Sequence, residues 1–247
     1  MSSFITNPNL PKTKVRKIIC GTDDEKILSF FKREQIEVVT FNANPHIDSS
    51  IESHADISAL HLGGNKIIID KSQKMLFEKL SALGMDVYTT EKSIEGDYPC
   101  DIALNFAVFG EAAVGNFKYA DKNLVEQLKN KKLIGVNQGY SKCSMLVINE
   151  TAIITDDESI HKKMVSYGIE SLLVSKGDIV LEGHTYGFIG GASFKISADT
   201  VVFFGDATAH RNYPDIKLFA EKYGCKVIST DDGCLRDIGG VVTLTEE

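Results

Sequence analysis

The feature that most restricts this chain is internal repetition. Residues 54–90, HADISALHLGGNKIIIDKSQKMLFEKLSALGMDVYTT, read as strand, Gly-Gly turn, strand, helix, strand. Met75, Leu76, Leu80 and Leu83 recur at helical intervals, and Gly84 stops the helix. CDIALNFAVFG, ADKNLVEQLKNKK and LIGVNQ (100–138) repeat the order, with Asp121 as an N-cap. The hairpin CSMLVINETAIITDD (143–157) turns at Asn149-Glu150, and a helix ending on Gly168 and the strand IESLLV follow. GFIGGASFKISADTVVFFG (187–205) opens a further copy, with a helix ending on Gly224 and the strand CKVIST. The N-terminal segment, VRKIICG to IEVVTF, lacks a leading strand, while IGGVVTLTEE at the C-terminus is a strand without a unit. Together they complete a fifth copy.

The spacing of helix starts suits blade-like repeats. The expected fold is α/β: one domain over 1–247, five units around an axis, with the C-terminal strand paired into the N-terminal unit so that no sheet edge is left open. An open α/β sheet or two separate domains are the competing readings. The irregular stretch NANPHIDSSIESHA (42–55) is a candidate lid.

Composition excludes several classes. The net charge is −7, which argues against nucleic-acid partners. No apolar run spans a membrane, and the start MSSFITNPNLPKTKVRK lacks the core of a signal peptide. The cysteines 20, 100, 143, 225 and 234 are odd in number and form no CxxC pair. A reducing cytoplasm is expected, with neither metal nor cofactor.

Several segments carry a resemblance. The five-unit pattern resembles the pentein, or guanidine-modifying, superfamily, the α/β propeller of arginine and agmatine deiminases and dimethylargininases. LHLGGNKIII (60–69) resembles that family's Glu-Gly-Gly-Asp/Asn motif. HADI, NQGYSKCS, GFIGGASFKIS and LRDIGG are similar to an uncharacterised bacterial branch. The resemblance implies a five-bladed α/β propeller acting on guanidino or amidino compounds, with a cysteine nucleophile, a histidine base and a carboxylate. Aligned so, the nucleophile falls on Gly239 or Gly240, the carboxylate on Leu62 and the histidine near Asn137 or Gln138. The usual catalytic positions are thus expected to be lost.

In a ring of equivalent units the first strands enter from one side, and a small-molecule site is expected where they converge. Candidate ligand-binding residues there are Asn65, Gln138, Tyr140, Lys142, Gly190, Gly191 and Asp237, together with Asp56. A carboxylate near the mouth suits a cationic ligand. Candidate catalytic residues are Cys143, His54 and Cys234. Lys142 beside Cys143 would favour a thiolate if it reached the sulfur, and Asp56 would orient His54 as a base. Asp231, Asp232 and Asp237 around Cys234 would raise its thiol pKa. A small-molecule binder is the first expectation. The alternatives are a deiminase-like hydrolase with a relocated cysteine, Cys143 or Cys234, and a non-enzymatic interaction protein.

Overall fold

The computed structural model describes residues 2–247. The first unit holds β1 (Ser3–Phe4), β2 (Val15–Ile19), α1 (Glu25–Arg33) and β3 (Glu37–Val39). The second holds α2 (Ala55–Ser58), β4 (Ala59–Gly63), β5 (Lys66–Ile69), α3 (Lys74–Ala82) and β6 (Asp86–Thr89). The third holds β7 (Ala107–Phe109), β8 (Ala112–Gly115), α4 (Lys122–Gln127) and β9 (Lys132–Gly135). The fourth holds β10 (Met145–Asn149), β11 (Ala152–Thr155), α5 (Glu158–Ser166) and β12 (Glu170–Leu173). After β13 (Ile179–Val180), the fifth holds β14 (Ser193–Ser197), β15 (Thr200–Phe203), α6 (Tyr213–Lys222) and β16 (Lys226–Ser229). Strands β17 (Leu235–Arg236) and β18 (Val242–Glu246) end the chain.

One pairing rule recurs. In the second to fifth units the first strand pairs antiparallel with the second, and the second pairs parallel with the third. In the first unit β18 takes the antiparallel place beside β2, with Val242 opposite Ile19, while β3 lies parallel on the other side. The C-terminal strand therefore supplies what the N-terminal unit lacks. The short β1 covers the outer edge of β18.

The cap read from the sequence at Asp121 recurs in two other units. Asp24, Asp121 and Asp157 each accept two backbone N–H bonds at the starts of α1, α4 and α5. Gly84 and Gly168 follow α3 and α5 at φ of 85° and 78°, a left-handed backbone that glycine adopts without strain.

The central strands explain how the units hold together. Each is apolar on both faces, and its alternation divides it between two cores. On β5, Ile67 and Ile69 enter a core shared with the first unit, whereas Ile68 enters one shared with the third. On β8, Ala113 faces the second unit, and Ala112 and Val114 face the fourth. On β11, Ile153 faces back to the third unit and Ile154 forward to the fifth. On β15, Val201 and Phe203 face the fourth unit, while Val202 and the following Phe204 pack with Ile18 and Phe31 of the first. The succession of shared cores thus returns to its start. Among the described residues no sheet closes on itself: the units are separate small sheets joined by these cores. Each fully buried isoleucine contributes about 1.5–3 kcal/mol relative to exposure.

The segment 42–55 is packed down in this structure. Ile47 and Ile51 are buried, and the Asn44 amide donates to the Ile94 carbonyl at 2.7 Å. Among the described residues no helix is long and apolar enough to cross a membrane.

Candidate functional site

The entrances of the five first strands meet, and hydrogen bonds join each to the next. Asn105, before β7, donates from Nδ2 to the Asp56 carbonyl at 3.3 Å. Its Oδ1 accepts from the Lys142 amide, before β10, at 2.8 Å. Gly191, before β14, donates to the Cys143 carbonyl at 2.9 Å, and Gly240, before β18, donates to the Gly191 carbonyl at 2.8 Å. The Asp56 amide, before β4, closes the circuit on the Gly239 carbonyl at 3.4 Å. Glycines 191 and 239 allow this approach. A Cβ on Gly191 would fall 1.9 Å from Asp237 Oδ1, and one on Gly239 would fall 2.3 Å from His54 Cβ.

A cavity of about 210 Å³ opens on this circuit, and His54, Cys143 and Asp237 line its inner wall. Its outer walls are Ile51 from the 42–55 segment and Leu181 to Phe188 from the connection between β13 and β14. Pairing of β13 with β17 sets that connection beside Asp237. The two walls meet where Ser50 Oγ lies 2.7 Å from His184 Nε2. Tyr140, Phe188 and Tyr186 form one side of the cavity, with successive ring centroids 6.0 and 5.8 Å apart, and Tyr98, outside the lining, packs 5.6 Å from Tyr140.

Cys143, Asp56 and His54 form a buried group. Cys143 Sγ donates to Asp56 Oδ2 at 2.9 Å and accepts from Asn105 Nδ2 at 3.2 Å. One ligand-type atom from each of His54, Asp56 and Cys143 lies within 4.8 Å of the others, a grouping that sequence spacing does not reveal. Asp56 Oδ1 has no hydrogen-bond partner among the described residues. Burial raises the Asp56 carboxyl to about 6, against the attraction of His54 and Lys142 and the Cys143 hydrogen bond. Burial and then the Asp56 charge push the Cys143 thiol well above its ordinary range. Cys143 is thus a neutral thiol here. Lys142 does not activate it: its Nζ turns toward the Gly190 carbonyl, 3.5 Å away.

Asp237 is held by two backbone donors, Phe188 N at 2.8 Å on Oδ2 and Gly239 N at 2.9 Å on Oδ1. Gln138 does not line the cavity: its side chain bridges Asp157 and the Tyr140 amide, and so sets Tyr140, whose hydroxyl donates to Asp101. Gly190 does not line the cavity; it packs against the Lys142 and Met145 carbonyls.

Two sequence candidates lie elsewhere. Asn65 sits in the β4–β5 turn, because Gly63-Gly64 ends the first strand of its unit rather than opening it. Cys234 is exposed and does not line the cavity. Of the acids near it, Asp231 is bound by Arg236 at 2.6 Å. Sequence reasoning missed His184, Tyr186 and Phe188 as site residues: the first two precede the copy that opens at 187, and Phe188 reads only as part of its opening hairpin. The density of aromatics in HTYGF was the available signal.

Comparison with solved structures defines the class of fold. The chain is similar to the inosamine-phosphate amidinotransferase of Streptomyces griseus, with 12% identity and a TM-score of 0.60 over 95% of both chains. It is similar to the C. jejuni agmatine deiminase, with 11% identity and a TM-score of 0.54 over 95% of this chain and 97% of that one. A dimethylarginine dimethylaminohydrolase matches at 11% identity and a TM-score of 0.55, over 88% of this chain and 92% of that one. The fold is that of the pentein superfamily. Residues 18–242 match the model of a family described as "Family of unknown function (DUF6873)", and the chain belongs to that family. No curated protein matches it in sequence.

Proposed function

We propose that this protein is a pentein-like small-molecule binder whose cavity takes a small cationic compound, guanidino, amidino or amino in type. The observation that carries this reading is the pairing of a fixed carboxylate, Asp237, with the aromatic side formed by Tyr140, Tyr186 and Phe188. A planar cation gains from both: charge-assisted hydrogen bonds to the carboxylate and attraction to the ring faces. The five shared cores and the circuit of entrance hydrogen bonds support a five-bladed α/β propeller around this cavity. Glycines at 239 and 240, Leu62 and the amides at 137 and 138 support a role without the superfamily's usual catalytic set in its usual places.

Calorimetric titration with agmatine, arginine and citrulline tests the reading. Agmatine or arginine is expected to bind and Asp237→Asn to abolish binding, whereas no heat from any of the three refutes it. A second reading, a hydrolase with Cys143 as a relocated nucleophile, draws on the approach of His54 and Cys143 at the cavity wall. It requires a haloacetamidine to label Cys143 ahead of the exposed Cys100 and Cys234.

A further inference from the structure

We propose that His54, Asp56 and Cys143 form a divalent-metal site, suited best to zinc, with an open coordination position toward the cavity. All three residues are buried, and their ligand atoms already lie within 4.8 Å of one another. Ligands of one tetrahedral zinc stand about 3.5 Å apart, so small side-chain adjustments suffice. Imidazole, thiolate and carboxylate are all zinc ligands, and three protein ligands with a fourth place left open is the usual form of a reactive zinc site. The independent observation is Asp56 Oδ1: a buried carboxylate oxygen without a partner among the described residues, on a residue 2% exposed. Such an atom is expensive to leave unpaired, and a cation satisfies it.

Loading requires one exchange. The Cys143 S–H bond, now directed to Asp56 Oδ2, breaks; a metal–sulfur bond forms, and the proton leaves to solvent. Asn105 Nδ2, 3.2 Å from the sulfur, remains as a donor to the bound thiolate and orients it. Asp56, Asp237 and the thiolate together balance the ion and Lys142, whose charge acts on Asp56. His54 and Cys143 both line the cavity, so the open position faces the space where a ligand enters.

The inference stands apart from the cationic-ligand reading, because metal content is read on protein without ligand. Tag-free protein is stripped with chelator, titrated with Zn(II) and weighed by native mass spectrometry. A Co(II)-loaded sample is followed by absorption. One equivalent of zinc is expected, with a thiolate-to-cobalt charge-transfer band. Cys143→Ser should remove the band and lower zinc affinity by roughly 10-fold or more, since even outer hydrogen-bond partners of a metal site contribute that much. Cys100→Ser and Cys234→Ser should leave both unchanged. If Cys143→Ser does not fold by circular dichroism, His54→Gln serves as the second variant, with the same loss of affinity expected. Failure of the wild type to retain zinc overturns the site, as does a band that survives Cys143→Ser or disappears with an exposed cysteine.

Discussion

Asp156 gives the most direct test of how burial shapes this molecule. It follows β11, is 4% exposed, and accepts the Ile189 N–H at 3.0 Å through Oδ2, while Oδ1 has no partner among the described residues. Burial raises its carboxyl from 3.8 to about 7, against the Ile189 bond and Lys176, with Asp237 and Asp157 pushing in the same direction as burial. Between these values the folded protein holds a proton that the unfolded chain has released. Stability from this group is therefore complete below about pH 4 and falls by about 1.4 kcal/mol per pH unit until about pH 7. Over the whole window the loss is about 4 kcal/mol. Asp156→Asn keeps the acceptor for Ile189 and cannot ionise. Its amide carries a desolvation penalty of its own, about 1–3 kcal/mol, but that penalty does not vary with pH. Urea unfolding of both proteins from pH 4.5 to pH 8 separates the two effects. The variant should gain about 3–4 kcal/mol on the wild type across that range. Parallel stability curves would refute the assignment. Asp56, raised to about 6 by burial, tilts both curves in the same direction and cancels in the difference.

Other outcomes follow from the same structure. Cys143 should react with a neutral thiol reagent far more slowly at pH 7 than Cys100 and Cys234, and peptide mapping of a partly labelled sample reads this directly. Asp56→Asn should speed Cys143 labelling, since it removes the charge that opposes the thiolate; an unchanged rate would place the barrier in access alone. Leu244→Ala in β18, at a fully buried position in the core between the first and second units, should cost about 2–5 kcal/mol by urea unfolding.

The fold was legible because its signals are local and repeated. Ile67-Ile68-Ile69 reads as a strand buried on both faces, and Asp121 as a cap, from a few neighbouring residues each. The pairing of β18 with β2 was legible for a different reason: four complete units imply what the two incomplete ends must do. The site was legible only as a place. Residues 56, 105, 143, 191 and 239 meet because the repeats bring equivalent positions together, yet nothing local says that Cys143 faces Asp56 rather than Lys142. Asn65 was misplaced because Gly63-Gly64, read as the turn between two strands, was also counted among the strand entrances, and it lies at the far end of β4. Tyr186 precedes the copy that opens at 187, and Phe188, read there as hairpin, lies on the connection before β14, where periodicity carries no information.

Gly239 shows how little room this site leaves for a side chain at the entrance of β18. Its φ of 71° disfavours any side chain, by about 1–2 kcal/mol. A Cβ there would stand 2.3 Å from His54 Cβ and 2.6 Å from His54 Cα. No rotamer of His54 relieves a contact with its own Cα and Cβ, so α2 would have to move. The hydrogen bond from Asp56 N to the Gly239 carbonyl would open with it. Overpacking of this kind adds about 1–3 kcal/mol, so Gly239→Ala should destabilise by about 2–5 kcal/mol in all. His54→Ala, which keeps the Cβ, should not rescue it. Rescue by His54→Ala would show that the obstruction is the imidazole ring. A cysteine at 239 would meet the same Cα and Cβ of residue 54, so the position takes no side chain while α2 stays where it is.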